Sequence, residues 1–159
     1  MKLTTLVLLF LLSASSVWSQ NVLVTDFKGL EPLLNRQNDT TYVVNFWATW
    51  CIPCVKEIPY FQQIHDEFAG KKVKVILVSL DFLKHLDSRL KPFIEKYKLT
   101  PEVILLNDPD ANSWINKVSP EWSGALPATI IYNHSFRSFY EKSFTFEELQ
   151  TIVNQNLKE

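Results

Sequence analysis

The stretch that most constrains this chain is Thr41–Cys54, TYVVNFWATWCIPC. From Thr41 to Ala48 it is a continuous apolar, β-branched and aromatic run, the pattern of a strand buried on both faces at the centre of an α/β sheet. Cys51 follows three residues after its end and Cys54 three further on, and they are the chain's only two cysteines. Beyond them Val55, Ile58, Phe61, Ile64, His65 and Phe68 recur at spacings of three and four, predicting a helix that reaches Ala69 and stops at Gly70. The cysteine pair therefore sits where a buried strand turns into a helix.

That placement has chemical consequences. A helix N-terminus carries unpaired N–H groups and a positive partial charge. A thiolate at Cys51 is stabilised there, so its pKa is expected to fall. Cys51, first in the pair and nearest the loop, is expected to be the more exposed and to act as nucleophile. Cys54, one turn further on, resolves a mixed disulfide. Pro53 fits the first helical turn, where a missing N–H has no intrahelical partner. A disulfide of this spacing closes almost no loop and so contributes little stability, which favours a reactive over a structural pair. Zinc would need two further ligands. The chain offers no third cysteine, and His65, His85 and His134 show no ligand spacing. No metal and no cofactor are expected.

The remaining pattern completes an α/β arrangement. Val22–Phe27 reads as a short strand and Lys28–Arg36 as a short helix with Leu30, Leu33 and Leu34 on one side. Val73–Leu80 is a second buried strand, and strand–helix–strand in this order implies a right-handed parallel crossover. Leu86, Leu90, Phe93, Ile94 and Tyr97 trace a helix interrupted by Pro92. Glu102–Leu106 is a short strand, Asn107–Asp110 a turn and Ala111–Lys117 a short helical segment. Ala128–Tyr132 and Phe136–Tyr140 read as a hairpin. Thr145 and Glu148 form a T-x-x-E capping box opening a last helix that buries Phe146, Leu149, Ile152, Val153 and Leu157. The condensed order is β-α-β-α-β-α-β-β-α, a mixed sheet with helices on both faces.

With 159 residues, one domain is expected over 20–159. A net charge of −1 gives no electrostatic case for nucleic acid or anionic lipid as a partner. Residues 1–19 read as a signal peptide: Lys2, an apolar run from Leu3 to Leu12, and Val17-Trp18-Ser19 as a cleavage site. The run is too short for a comfortable membrane span; an uncleaved anchor is the alternative.

The stretch Asn45-Phe46-Trp47-Ala48-Thr49-Trp50-Cys51-Ile52-Pro53-Cys54-Val55-Lys56-Glu57-Ile58-Pro59 resembles the active-site region of the thioredoxin superfamily. In detail it is similar to the TlpA/ResA-like branch of exported bacterial thiol-disulfide oxidoreductases. The resemblance implies a thioredoxin-like α/β fold with an inserted helix around residues 84–98, after the second core strand. It implies a cis-proline at Pro127 facing the cysteines, with the backbone of Leu126 turned out to pair with an extended substrate. It assigns proton handling at the cysteines to Glu57, a partly buried carboxylate on the face of Cys54. Asn45 departs from general thioredoxins, which carry a buried aspartate there; an amide exchanges no proton, so that role is vacant. Trp47 and Trp50 flank the site, with Trp50, Pro53, Leu126 and Pro127 expected against substrate and Asn45 and Trp47 as support. Trp114 reads as core; Trp122 either reaches the groove beside Pro127 or anchors its own loop.

The function expected is reduction of protein disulfides outside the cytoplasm, in the periplasm, through a Cys51/Cys54 dithiol cycle. The partners implied are protein thiols or disulfides, apocytochrome c among them, and an upstream membrane dithiol as electron donor. Two alternatives stand beside it: a disulfide-forming dithiol oxidase, and a non-catalytic metal chaperone on the same fold. A peroxidase is disfavoured, because Ala48 rather than threonine stands three residues before Cys51.

Overall fold

The seven residues of β2 (Thr41–Trp47) are all buried, which only a position inside a sheet covered on both faces allows. In the computed structural model, which describes residues 21–157, β2 lies between β3 (Val73–Ser79) and β5 (Ala128–Tyr132). It runs parallel to β3, in register from Thr41 opposite Val73 to Trp47 opposite Ser79. It runs antiparallel to β5, with Phe46 opposite Ala128. With β1 (Leu23–Thr25), β4 (Glu102–Leu106) and β6 (Arg137–Tyr140) the sheet order is β1-β4-β3-β2-β5-β6. The signal peptide read over residues 1–19 lies outside the described residues.

Side chains alternate across a strand, so β2 feeds two cores. Val43 and Trp47 join Val75, Leu77, Val103 and Leu105 beneath α2 (Ile52–Glu67), α3 (Lys91–Tyr97) and α5 (Phe146–Asn156). Tyr42, Val44 and Phe46 join Ile76, Val78 and Ile130 beneath α1 (Phe27–Leu30) and α4 (Ala111–Val118). The expected mixed sheet with helices on both faces is what forms. Its element order, β1-α1-β2-α2-β3-α3-β4-α4-β5-β6-α5, has one strand and one helix more than the condensed order, which leaves out one of the six strands read from the sequence and the short helical segment that forms α4.

Two expected helices are broken, both at proline. The helix read over Lys28–Arg36 stops as α1, and Leu33–Asn35 forms a separate 3-10 turn. Pro32 has no N–H to continue the ladder. The insert is a 3-10 turn at Leu83–His85, a π-helical stretch at Leu86–Leu90 and only then α3. Pro92 would crowd the carbonyl of Ser88 in a continuous α-helix, and the wider turn relieves this. The insert still packs as expected: Leu90 and Ile94 are buried, and the Phe93 ring lies 5.0 Å from that of Trp47.

Gly70 follows α2 at φ +75°, and nothing lies within 4 Å of a side chain placed there. Its need for glycine is therefore conformational and not steric. At the other end of the chain the capping box is complete. Glu148 N–H donates to Thr145 Oγ1 at 3.3 Å, and Thr145 N–H donates to Glu148 Oε2 at 3.0 Å. Thr145→Ala is expected to lower stability by about 1 kcal/mol in urea unfolding. A loss below about 0.3 kcal/mol would show that packing of Leu149 and Val153 alone starts α5.

Candidate active site

Cys51 is the N-cap of α2, and its Sγ accepts the Cys54 N–H at 3.3 Å. Upstream, the Cys51 N–H donates to the Ala48 carbonyl at 3.1 Å, closing the turn out of β2. The two cysteines are joined as a disulfide with Cα atoms 5.3 Å apart. The sulfur chemistry thus sits on the first turn of a 16-residue helix, where the dipole and unpaired N–H groups favour negative charge once the pair is reduced. Cys51 is the more exposed of the pair, but at 6% against 0% for Cys54 it is a buried residue. The exposed groups are its neighbours: Trp50 at 52%, Ile52 at 70%, and Pro53.

Glu57 lies one turn beyond Cys54 on the same helix face and is fully buried, more so than expected from the sequence. Its Oε1 accepts from Asn45 Nδ2 at 3.1 Å and its Oε2 from the Phe144 N–H at 2.8 Å. Burial pushes the Glu57 carboxyl up to about 7, against the lowering effect of those two hydrogen bonds. Asn45 Nδ2 has a second acceptor, Thr129 Oγ1, at 3.0 Å, while its Oδ1 is buried without a partner. Thr129 and the Phe144 amide belong to this arrangement and were not singled out in the sequence. They come from β5 and from the loop before α5, far along the chain, and no local motif marks them.

Another group without a motif is Asp81, buried just past β3. Its carboxylate accepts from Thr49 N–H at 3.0 Å, Thr49 Oγ1 at 2.5 Å and Ser79 Oγ at 2.8 Å. It ties the loop carrying Trp50 and Cys51 to the start of the insert. Phe82 and Leu83, the next two residues, are exposed.

The Leu126–Pro127 peptide bond is cis, as the sequence resemblance implied. Leu126 is half-buried and precedes the β2–β5 pairing, in which Ala128 is paired opposite Phe46. Trp122 is the anchor of its own loop. It is buried, its Nε1 donates to the Ala125 carbonyl at 2.8 Å, and its ring lies 4.9 Å from Phe46 and 5.7 Å from Trp114. Trp47 is fully buried in the core below the site, so of the two flanking tryptophans only Trp50 faces solvent. Among the described residues no group of three or more His, Cys, Asp or Glu is placed to hold a metal.

Comparison with known families places the AhpC/TSA family over residues 21–135. The chain belongs to that family. The resemblance to the TlpA/ResA-like branch is borne out by curated relatives. Thiol-disulfide oxidoreductase ResA of Oceanobacillus iheyensis is 43% identical over 114 residues, covering 70% of this chain and 55% of the relative. ResA of Geobacillus kaustophilus is 28% identical over 130 residues, covering 80% and 69%. The chain spans about half the length of several curated relatives it matches, 44% in the case of ResA from Bacillus thuringiensis subsp. konkukian. Among solved structures, a thioredoxin family protein from Chlorobium tepidum aligns with a TM-score of 0.62 at 20% identity, over 75% of this chain and 81% of that one. A thioredoxin-related protein from Neisseria meningitidis serogroup B aligns with a TM-score of 0.64 at 19% identity, over 79% and 89%. The fold is thioredoxin-like.

Proposed function

We propose that this protein is a thiol-disulfide oxidoreductase that reduces protein disulfides outside the cytoplasm. The observation that carries the reading is the Cys51–Cys54 disulfide on the first turn of α2, backed by the buried Glu57 one turn on. In the reduced enzyme the Cys51 thiolate attacks one sulfur of a substrate disulfide. A mixed disulfide forms and the other substrate sulfur leaves as a thiolate. The Cys54 thiol gives its proton to the Glu57 carboxylate and attacks Cys51 Sγ. The Cys51–Cys54 disulfide closes and the second substrate sulfur leaves as a thiolate, which is protonated from solvent or by Glu57. Two electrons have passed to the substrate, and an external dithiol restores the enzyme.

Glu57 suits this role because a carboxyl near pH 7 both takes and returns a proton. Trp50, Pro53, Leu126 and Pro127 form the substrate side of the site in this reading, with Asn45 and Trp47 supporting it from within. Residues 1–19 act as the export signal, residues 20–159 form one domain, and the compartment is the periplasm. The substrates are exported protein disulfides, apocytochrome c being one candidate, and the electron donor is a membrane dithiol. ResA names and the family match support thiol-disulfide chemistry.

The test is the reduction potential of the Cys51/Cys54 pair, titrated in dithiothreitol or glutathione buffers with tryptophan fluorescence as the readout, since Trp50 adjoins Cys51. A value near the thioredoxin end of the scale, about −270 mV, is expected for a reductase. A value near about −120 mV would reverse the direction and make the protein a disulfide-forming oxidase.

A further inference from the structure

The Glu57 carboxyl is held from two sides by unlike donors. On Oε2 the donor is the Phe144 backbone N–H, which has no alternative orientation. On Oε1 it is the side-chain amide of Asn45. An amide can present either its N–H₂ or its oxygen to a neighbour, because the two faces differ little in shape. With Nδ2 toward Glu57 the amide stabilises the carboxylate; with Oδ1 toward it, the amide stabilises the acid. Something must select between them.

Glu57 selects only while ionised, when its oxygens can do nothing but accept; once protonated it can also donate, and the second contact of the amide then decides. The second contact of Asn45 Nδ2 is Thr129 Oγ1 at 3.0 Å, and both residues are fully buried. Asn45 Oδ1, at the other end of the amide, meets no donor. A hydroxyl can accept or donate; here the Thr129 hydroxyl accepts, so that Nδ2 stands between two acceptors while Oδ1 is unpartnered.

We propose that Thr129 is a positioning residue for Glu57: by accepting from Asn45 Nδ2, its hydroxyl keeps the donor side of the Asn45 amide toward the Glu57 carboxylate. The chain of influence runs from Thr129 on β5, through Asn45 on β2, to Glu57 on α2, and so to Cys54 one turn away. It rests on the reading of Glu57 as the proton-handling group. Other groups around Glu57 do not compete for this role. On its own helix Cys54 lies in the disulfide and Lys56 is exposed. On the α5 side Lys142 and Glu148 pair with each other at 2.9 Å, at the surface. The lowering influences on Glu57 are the Phe144 and Asn45 hydrogen bonds, with no charged side chain among them.

The experiment follows the Glu57 carboxyl directly, by carbon-13 NMR of the oxidised protein against pH. The proteins compared are wild type, Thr129→Val, Thr129→Ser and, to assign the signal, Glu57→Gln. Valine keeps the shape and removes the acceptor; serine restores it. The expected result is that Thr129→Val raises the midpoint by about half to one pH unit, a part of the worth of one hydrogen bond to a charged form, since the amide is loosened and not removed. Thr129→Ser is expected to return it to the wild-type midpoint. An unchanged midpoint in Thr129→Val overturns the proposal, and so does an equal shift in both variants, which would report packing. Failure of the underlying reading looks different. In that case the Glu57 midpoint follows Thr129 as stated, while Glu57→Gln leaves the pH profile of disulfide reduction unchanged.

Discussion

Cys51→Ser protein is expected to lose insulin-disulfide reduction by at least about 10³-fold, to the rate of the uncatalysed thiol reaction. Cys54→Ser protein is expected to fail differently. Its Cys51 still attacks, but the mixed disulfide has no internal resolving thiol and accumulates as a species visible by mass spectrometry and on non-reducing gels. The asymmetry follows from position. Cys51 is the N-cap, open at one side between the exposed Trp50 and Ile52, whereas Cys54 is completely buried inside the first turn. Cys54 cannot substitute as nucleophile without opening α2. Undiminished turnover by Cys51→Ser would remove the assignment altogether. Mixed disulfides formed through Cys54 in that variant would reverse the two roles.

The part of this arrangement that lies along the chain was legible in the sequence. The apolar run of β2, the cysteines at the start of α2 and Glu57 one turn on are local facts, set by strand and helix periodicity. The partners of Glu57 were not. Thr129 reaches Asn45 across 84 residues, and Phe144 reaches Glu57 across 87. Such pairings depend on which strands become neighbours, and periodicity carries no information about that. The low exposure of Cys51 was not legible either; the loop that carries it is held by Asp81 from beyond β3, a contact no local pattern marks. Pro32 is a different case. It was visible in the sequence, but the spacing of Leu30, Leu33 and Leu34 favoured one helix. The lost N–H outweighed the apolar pattern, which a 3-10 turn also satisfies, leaving Leu33 and Leu34 buried.

The oxidised protein is expected to be less stable at pH 8 than at pH 5, by about 2.5 kcal/mol from Glu57 alone. The unfolded chain ionises this carboxyl near the ordinary value of 4.5, the folded protein only near 7. Below about 4.5 both states are protonated and the contribution is fully present. Between the two values the unfolded state has released its proton while the folded state retains it, so rising pH favours unfolding. Above about 7 both are ionised and the loss is complete. In urea this corresponds to a midpoint lower by about 1.2 M at a slope of about 2 kcal/mol/M. Glu57→Gln is expected to remove that part of the pH dependence. Every other titrating group is common to both proteins, so their difference isolates Glu57. Its sign also separates Glu57 from the paired surface carboxylates Asp39 and Glu148, held below the usual range by Lys72 and Lys142, whose contribution is lost as pH falls. If wild type and Glu57→Gln show the same slope from pH 5 to 8, the carboxyl titrates at an ordinary value and cannot exchange protons with Cys54 near neutrality. A difference of the stated sign means the fold holds a buried acid that destabilises it at neutral and alkaline pH. A neutral side chain would avoid that cost, and the proposed proton transfer at Cys54 would account for a carboxyl in its place.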